Sequence, residues 1–236
     1  MKKYQIKDPD DYTFPFGKEI WFDPSVYFHG TSLEFSNLIE KSGLKRNHQM
    51  FDKRDIQKLY KILSSEYFIQ IPDEKRKWSY EDFHFVLGGG GFDMNDEPIF
   101  CSGDFWGARN YSQKSGGETI DHIVRACRWV CELEGCEYTD QVKEILEKYS
   151  SIFDNHISCV YAVKLPSELW EEHEEIFSKL KFPYDRPRKL TNNNVVCKED
   201  IPKESIIGRV DFPNGVTRYS IRPYTKEKLP VEWEKD

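Results

Sequence analysis

The stretch that decides the fold is VYFHGTS, at residues 26–32. Its first four residues are apolar or aromatic apart from the histidine, and they predict a short β-strand. A histidine at a strand end can present its ring nitrogens to a ligand, as His29 would do here. The glycine after it lets a backbone approach closely, and Thr31 and Ser32 add hydroxyl groups. Taken alone, such a stretch is more often an ordinary turn from strand to helix than a binding site.

A second strand followed by a helix is predicted further along the chain. Residues 98–101, PIFC, are a short apolar run, and the helix-like segment after it reaches Tyr111. The spacing from Phe100 to Tyr111 indicates a helix that returns along its strand and brings two aromatic faces toward one space. Aromatic rings can sandwich a flat ligand such as nicotinamide or a base, although most aromatic residues simply pack in the core.

The remaining predicted elements are short and dispersed. Ser32 is a suitable N-cap and Gly43 a suitable end for the first helix. Helices are expected at 33–41, at 55–64, over 120–150 and opening at 167–170, and strands at 157–163, 194–197, 206–210 and 218–221. An irregular arm packed on the core is expected over the first 25 residues. Dispersed strands and helices of this kind are typical of the α+β class.

Composition excludes several classes of protein. The 236 residues carry a net charge of −7, which does not indicate a broad basic surface for nucleic acid, although the basic run at 179–189 leaves a local basic groove open. Aromatic residues make up 15%, so a disordered chain is not expected. No apolar run is long enough to span a membrane, and the residues after Met1 are not a secretory stretch. We therefore expect a soluble, cytoplasmic protein without a membrane partner.

Six cysteines are predicted to be free thiols in a chain of this size. Cys127, Cys131 and Cys136, with His122 upstream, match no closed zinc pattern. Cys127 and Cys131 lie one turn apart on an apolar helix face, so we expect buried cysteines and no metal site.

Three separated motifs together resemble the ADP-ribosyltransferase fold family, in its poly(ADP-ribose) polymerase-like and bacterial toxin-like branches. In that family a strand ending in His-Gly-Thr holds NAD, and an aromatic strand followed by Ser leads to a helix whose tyrosine stacks on nicotinamide. Bacterial members add a strand, an Ile-Pro pair and an Ile-rich strand, similar to residues 194–207 here. The resemblance covers residues 26–44, 98–118 and 157–212 in the family's order.

The resemblance also implies an architecture. We expect an α+β fold with an ADP-ribosyltransferase-like split mixed sheet and helical insertions. The chain would then be a single domain over residues 1–236, with insertions at about 45–97 and 119–156 that either shape a target-binding face or serve as structural padding.

Site residues follow from the resemblance position by position. His29 is expected to hydrogen-bond the ribose next to nicotinamide, and Gly30 to meet the carboxamide through its backbone. Ser102 would also address the carboxamide, while Phe100 and Tyr111 would stack on the ring. The residues expected to bind NAD are thus His29, Gly30, Thr31, Phe100, Ser102 and Tyr111.

The catalytic set implied by the resemblance is His29, Phe100 and Asn194. Phe100 stands where relatives often have tyrosine, which keeps the stacking and loses a hydroxyl. Asn194 aligns with a position that is usually glutamate, and an amide can orient a hydroxyl group but cannot act as a base. Glu199 and Glu204 lie nearby and are the alternatives for this position.

The function implied is an NAD-dependent mono-ADP-ribosyltransferase, a toxin or defence effector that modifies nucleic acid or protein, with an antitoxin as a possible partner. NAD would be the co-substrate and no metal would be needed. Two alternatives stay open: an RNA 2′-phosphotransferase, which shares the His-Gly-Thr strand, and a catalytically silent module that binds NAD or ADP-ribose.

Overall fold

A computed structural model describes residues 1–5, 16, 20, 23, 25–46, 52–72, 98–103, 105–112, 118–166, 170–172 and 194–212. The chain divides into two compact units. The first unit is formed by Met1–Arg46, Pro98–Lys114 and Ile157–Asp236, and the second by Asn47–Glu97 and Ser115–His156. The two stretches of the second unit nearly coincide with the segments predicted as insertions, 45–97 and 119–156. That these segments are insertions into a single domain stays a prediction.

Strands and helices follow one another in short runs along the described residues. The strands are β1 (Lys2–Gln5), β2 (Val26–Ser32), β3 (Ile99–Ser102), β4 (Ser158–Lys164), β5 (Trp170–Glu172), β6 (Asn194–Cys197) and β7 (Ile206–Phe212). The helices are α1 (Ser36–Ser42), α2 (Lys53–Leu63), α3 (Glu66–Ile69), α4 (Phe105–Ser112), α5 (Glu118–Glu132) and α6 (Thr139–Asp154). Short 3₁₀ turns at Leu33–Phe35 and Lys203–Ser205 precede α1 and β7.

All seven strands form one open mixed sheet in the first unit, in the order β1-β7-β4-β2-β3-β6-β5. The pair of β1 and β7 is parallel, and the other neighbouring strands run antiparallel. Helices and one mixed sheet are compatible with the predicted α+β class. The more specific expectation, an ADP-ribosyltransferase-like fold, stays a prediction.

The sheet is nearly divided between β2 and β3. Along β4, β2 is paired over its full length from Val26 to Ser32. Toward β3, the described residues of β2 are paired at Phe28 with Ser102 and at no further position. The backbone pairing between the two strands stops there, and we call this break in the pairing after Phe28 the gap between β2 and β3.

The central strand β4 confirms the strand predicted at 157–163. Its residues from Ser158 to Val163 are all buried, because strands lie on both sides of it and both of its faces are covered. The strand predicted at 26–29 is correct but too short. Gly30, Thr31 and Ser32 continue the pairing with β4, and this tertiary contact extends β2 up to the helix cap.

The first helix begins as predicted at the Ser32 cap. The Ser32 side chain accepts a hydrogen bond from the Glu34 N–H at 3.3 Å, and the chain makes one 3₁₀ turn before α1. Gly43 ends α1 with a φ of 81°, a backbone conformation that glycine adopts without strain.

The N-terminal segment is not an irregular arm throughout, because Lys2–Gln5 forms the edge strand β1 beside β7. Phe16 and Ile20 do pack in the core, as the prediction of a packed arm requires. The Phe16 ring lies 5.9 Å from Phe28 and from Phe105 of α4, measured between ring centroids. Helix α4 thus covers the sheet face that carries Phe28.

The helix predicted to begin at 167 is wrong where the structure describes it. Trp170–Glu172 is the strand β5 and pairs with β6. Pairing with a neighbouring strand overrides the local helical preference of this polar segment. The basic run at 179–189 and the strand predicted at 218–221 lie outside the described residues.

The second unit consists of helices where it is described. The helix predicted at 55–64 is α2, which begins two residues earlier because Asp52 accepts a hydrogen bond from the Arg54 N–H at 2.9 Å. The helical region predicted within 120–150 is two helices, α5 and α6. Gly135, with a φ of 72°, lies in the turn between them. In neither unit do the described helices include one that is both long and apolar enough to cross a membrane.

Candidate functional site

Every residue predicted for the site lies in the first unit. His29, Gly30 and Thr31 are in β2, and Phe100 and Ser102 are in β3. Tyr111 is in the last turn of α4, and Asn194 begins β6. Since β2, β3 and β6 are neighbours in the sheet, the fold gathers these positions around the gap between β2 and β3. We call this set of seven residues the candidate site.

The His29 side chain bridges the gap. Its Nδ1 lies 2.8 Å from the carbonyl oxygen of Phe100, although the two residues are 71 positions apart in the chain. A carbonyl oxygen only accepts hydrogen bonds, so Nδ1 carries the proton and donates it. In the neutral ring the lone pair is then on Nε2, which makes Nε2 the acceptor nitrogen. The imidazole thereby replaces the backbone hydrogen bonds that end at Phe28.

Gly30 is needed because helix α4 lies directly against it. A Cβ atom at this position would be 1.8 Å from the backbone oxygen of Ala108 and 2.8 Å from the backbone nitrogen of Ser112. The sequence predicts a close backbone approach here, and the structure provides one from the protein's own helix. That the Gly30 backbone also meets a carboxamide stays a prediction.

Two aromatic side chains of the candidate site are half exposed. Phe100 is 46% exposed and Tyr111 is 50% exposed, whereas Phe28 and Phe105 beside them are buried. Phe28 packs on Phe105 of α4, with ring centroids 5.5 Å apart, so it faces this helix. Ser102 lies opposite Phe28, and Phe100 two residues away shares that face because side chains alternate along a strand. Phe100 is therefore on the sheet face covered by the helix that carries Tyr111.

Both aromatic residues are fixed close to His29 and Gly30. The Phe100 carbonyl accepts the hydrogen bond from His29. Tyr111 immediately precedes Ser112, whose backbone nitrogen lies against Gly30. The structure thus places Gly30 beside the strand and the helix that carry the two aromatics, on one face of the sheet, and the His29 side chain reaches the Phe100 backbone from the opposite face.

The predicted hydroxyl groups are less accessible. Ser102 and Thr31 are buried, in contrast to the two aromatic side chains. Ser102 pairs with Phe28 on one side and with Asn194 on the other. Thr31 lies opposite Cys159 of β4, on the face of the sheet that also carries His29.

The register distinguishes the three candidates for the third catalytic position. Asn194 pairs directly with Ser102, so its backbone lies within the candidate site. Glu199 comes after the end of β6, and Glu204 is in the 3₁₀ turn before β7. Both glutamates are exposed. Of the three, the sheet places Asn194 beside another predicted site residue.

The Ile-Pro motif secures the loop after β6. Leu44 and Ile201 exchange two backbone hydrogen bonds of 2.9 Å, directly after the end of α1. Asp200 accepts hydrogen bonds from the Arg46 N–H at 2.9 Å and from the Lys45 ammonium at 3.0 Å. Burial raises the pKa of Asp200, but these hydrogen bonds outweigh it and the net pKa is lowered. The loop is thus tied to the helix that follows the His-Gly-Thr strand.

Sequence reasoning missed a polar group on the face of His29. Arg209 of β7 is buried and makes ion pairs with Glu40 of α1 and with Asp211. Burial lowers the pKa of Arg209, but hydrogen bonding to Asp211 and the nearby negative charges outweigh it and raise the pKa. The available indication was a lone charged residue inside the apolar strand IIGRV.

The cysteines lie mainly in the interior. Cys127 and Cys136 are buried and Cys131 is half-buried, in agreement with the predicted burial. Burial raises the pKa of the Cys127 thiol, which keeps it protonated. Among the residues that the structure describes, no three His, Cys, Asp or Glu side chains are grouped so that they would hold a metal ion.

Comparison with known proteins does not assign the chain to a family. No protein-family model matches the chain, and no curated protein or solved structure is significantly similar to it. A functional interpretation therefore depends on the residues of the candidate site themselves.

Proposed function

We propose that the chain is an NAD-dependent mono-ADP-ribosyltransferase that modifies a macromolecule, as a toxin or defence effector. The observation that carries this proposal is the pair of half-exposed aromatic side chains, Phe100 and Tyr111, next to Gly30 of β2, with His29 bonded to the Phe100 carbonyl. Exposed aromatic side chains are costly in water, and a flat ligand that stacks on them would remove this cost.

The polar groups of the candidate site suit the rest of an NAD molecule. With Nδ1 donating to Phe100, the Nε2 atom of neutral His29 can accept a hydrogen bond from a ribose hydroxyl. The gap beyond Phe28 leaves the backbone of Gly30 at the point where the ladder toward β3 ends. A carboxamide, with one acceptor and two donor hydrogens, is the type of group that pairs with strand backbone.

The reaction proposed is a substitution at the anomeric carbon of the ribose. The bond between C1′ and the nicotinamide nitrogen breaks, and nicotinamide leaves with the electron pair as a neutral molecule. A nucleophilic atom of the target bonds to C1′ and loses its proton to solvent or to a base on the target. Because the positively charged ring is already a good leaving group, the protein contributes orientation and stabilisation of an oxocarbenium-like state.

The proposal is tested by nicotinamide release and by labelling. Purified protein, NAD and a lysate are expected to give free nicotinamide and a labelled macromolecule, and His29→Ala is expected to abolish both. His156→Ala is the matched control, since His156 is partly buried in the second unit and lies outside the candidate site. Digesting the labelled product separately with nuclease and with protease decides between a nucleic-acid and a protein target.

A silent NAD-binding module is the second candidate, and the position of Asn194 favours it. Asn194 is paired with Ser102, and an asparagine supplies no base if it fills the proposed third catalytic position. Binding of NAD without nicotinamide release in any target pool would support this module over the transferase. Product formed only from 2′-phosphorylated RNA would instead support the phosphotransferase.

A further inference from the structure

A row of polar side chains crosses the sheet on the face of His29. The pairing register places Tyr161 of β4 directly opposite His29, Arg209 of β7 opposite Tyr161, and Lys3 of β1 opposite Arg209. Directly opposed residues of neighbouring strands point to the same face, with Cβ atoms about 5 Å apart. His29 therefore has the side chain of Tyr161 as its neighbour on the side of β4.

The end of this row that is farthest from His29 is fixed by ion pairs. The Arg209 Nη2 donates to Asp211 Oδ2 at 2.9 Å, its Nε lies 2.7 Å from Asp211 Oδ1 as an ion pair, and the guanidinium also donates to Glu40 of α1. Lys3 donates to the other oxygen of Glu40 at 2.9 Å. Two positive and two negative groups thus balance one another. A two-point ion pair of this kind fixes the plane of a guanidinium.

Tyr161 is fixed between this network and His29. Its side chain is fully buried, and a buried ring packed on all sides has little freedom to change rotamer. Burial raises the pKa of Tyr161, while the positive charge of Arg209 opposes that rise, so the hydroxyl stays protonated beside the guanidinium. The ring is therefore an immobile wall on one side of His29.

We propose that Tyr161 is a positioning residue that holds the His29 imidazole toward β3, where Nδ1 donates to Phe100. Two sides are open to the imidazole in principle: the gap toward β3 and the side of β4. Tyr161 occupies the side of β4, and the Phe100 carbonyl lies 2.8 Å away on the other. The same constraint selects the tautomer in which Nε2 is the acceptor. Its consequence for catalysis rests on the proposed function, but the orientation of the ring does not.

The test reads the tautomer of His29 directly. In protein labelled with ¹⁵N-histidine, at about pH 8 where a histidine is ordinarily neutral, His29 is expected to show protonated Nδ1 and unprotonated Nε2. Its signals are assigned by their loss in His29→Gln. Tyr161→Leu removes the wall and is expected to reduce the preference for this tautomer about tenfold, the amount that corresponds to loss of one hydrogen bond. Tyr161→Phe keeps the ring, and with it the wall, and is expected to leave the His29 signals close to those of the wild type.

Tyr149→Phe is the matched control. Tyr149 is a buried tyrosine of the second unit whose hydroxyl bonds to Asp55 at 2.7 Å, so the variant loses a buried hydroxyl without touching the row. The proposal is overturned if Tyr161→Leu keeps the wild-type His29 signals, or if Tyr161→Phe or Tyr149→Phe shifts them as far as Tyr161→Leu does. Should Tyr161→Leu not fold, Tyr161→Met, which also removes the ring, takes its place.

Turnover separates this proposal from the proposed function. If nicotinamide is released, Tyr161→Leu is expected to lower kcat more than it weakens NAD binding, because a misoriented imidazole affects the reacting geometry. If wild-type protein releases none, the proposed transferase fails, and the tautomer measurement still decides the role of Tyr161.

Discussion

The two units differ in what they bury. Seven of the nine polar or charged residues buried in the described part of the chain lie in the first unit, and two, Asp121 and His122, lie in the second. The second unit instead buries apolar faces of α5 and α6 and keeps most of its ion pairs partly exposed. Burying a polar group costs free energy unless it is hydrogen-bonded, so the stability of the first unit depends more on the exact placement of hydrogen-bond partners.

This difference has a functional meaning. In the second unit, polar contacts such as Lys148 with Asp55 at 2.6 Å join one helix to another and need no ligand. In the first unit, the contact of His29 with Phe100 stands where the sheet leaves a gap, next to half-exposed aromatic rings. A site for a ligand is therefore expected in the sheet unit, and substitutions in the two units should have different effects.

The largest difference is expected between two glycines. Gly30→Ala places a methyl group against the α4 backbone, and moving a helix off the sheet is expected to cost about 3 kcal/mol of unfolding free energy. Gly135→Ala meets no atom within 4 Å and costs only the strain of a φ of 72°, about 1 kcal/mol. Hydrogen exchange, followed in β4 for the first variant and in α6 for the second, measures the two costs separately. Equal losses would contradict the close contact between Gly30 and α4.

An exposed residue in each unit separates binding from stability. Tyr111→Ala is expected to weaken NAD binding about thirtyfold, or by about 2 kcal/mol, since a stacked ring contributes that much. Ile69→Ala, in the second unit and 59% exposed, should leave NAD binding unchanged. Both variants should change the free energy of unfolding by no more than about 0.5 kcal/mol, because neither side chain is buried. Calorimetric titration with NAD measures the binding. A similar loss in both variants would remove the argument for a site in the first unit.

Local sequence patterns predicted the helices and strands better than they predicted which strands pair in the sheet. The helix expected at 55–64 is α2, and the β-branched run at 157–163 predicts the central strand β4. The edge strands β1 and β5 have polar sequences, KKYQ and WEE, and exist only because a neighbouring strand offers its backbone.

The candidate site shows the same difference between what a local pattern predicts and what depends on tertiary contacts. Residue type and order led to His29, Gly30, Phe100 and Tyr111, because each has a chemistry that a ligand needs. The hydrogen bond from His29 to Phe100 and the contact of Gly30 with α4 depend on register and helix placement, which no local pattern contains. Tyr161 was missed for the same reason, since an aromatic residue in a buried strand is indistinguishable from ordinary core.

The smallest expected effect is the loss of stability in acid that comes from two carboxylates, one in each unit. Asp23 and Asp52 both have a pKa of about 2, below the ordinary 3.8. For Asp23, burial raises the pKa, and hydrogen bonds from Ser25 and Lys164 outweigh it; for Asp52, hydrogen bonds from Arg54 lower it. A folded-state pKa below the unfolded value means that each group stabilises the fold above about pH 4 and loses this contribution as the pH falls toward 2.

Salt is expected to separate these two carboxylates. The Arg54 side chain is 87% exposed, and about 1 M salt screens an exposed ion pair. The hydroxyl and N–H of Ser25 are neutral donors, at 2.6 and 2.8 Å from Asp23, and salt does not screen them in this way. High salt should therefore raise the pKa of Asp52 more than that of Asp23. NMR titration of the carboxyl carbons in low and high salt measures both values. Equal shifts would mean that Asp23 depends on Lys164 rather than on Ser25, and the turn that leads into β2 would then be held by charge, like the helix cap of the second unit.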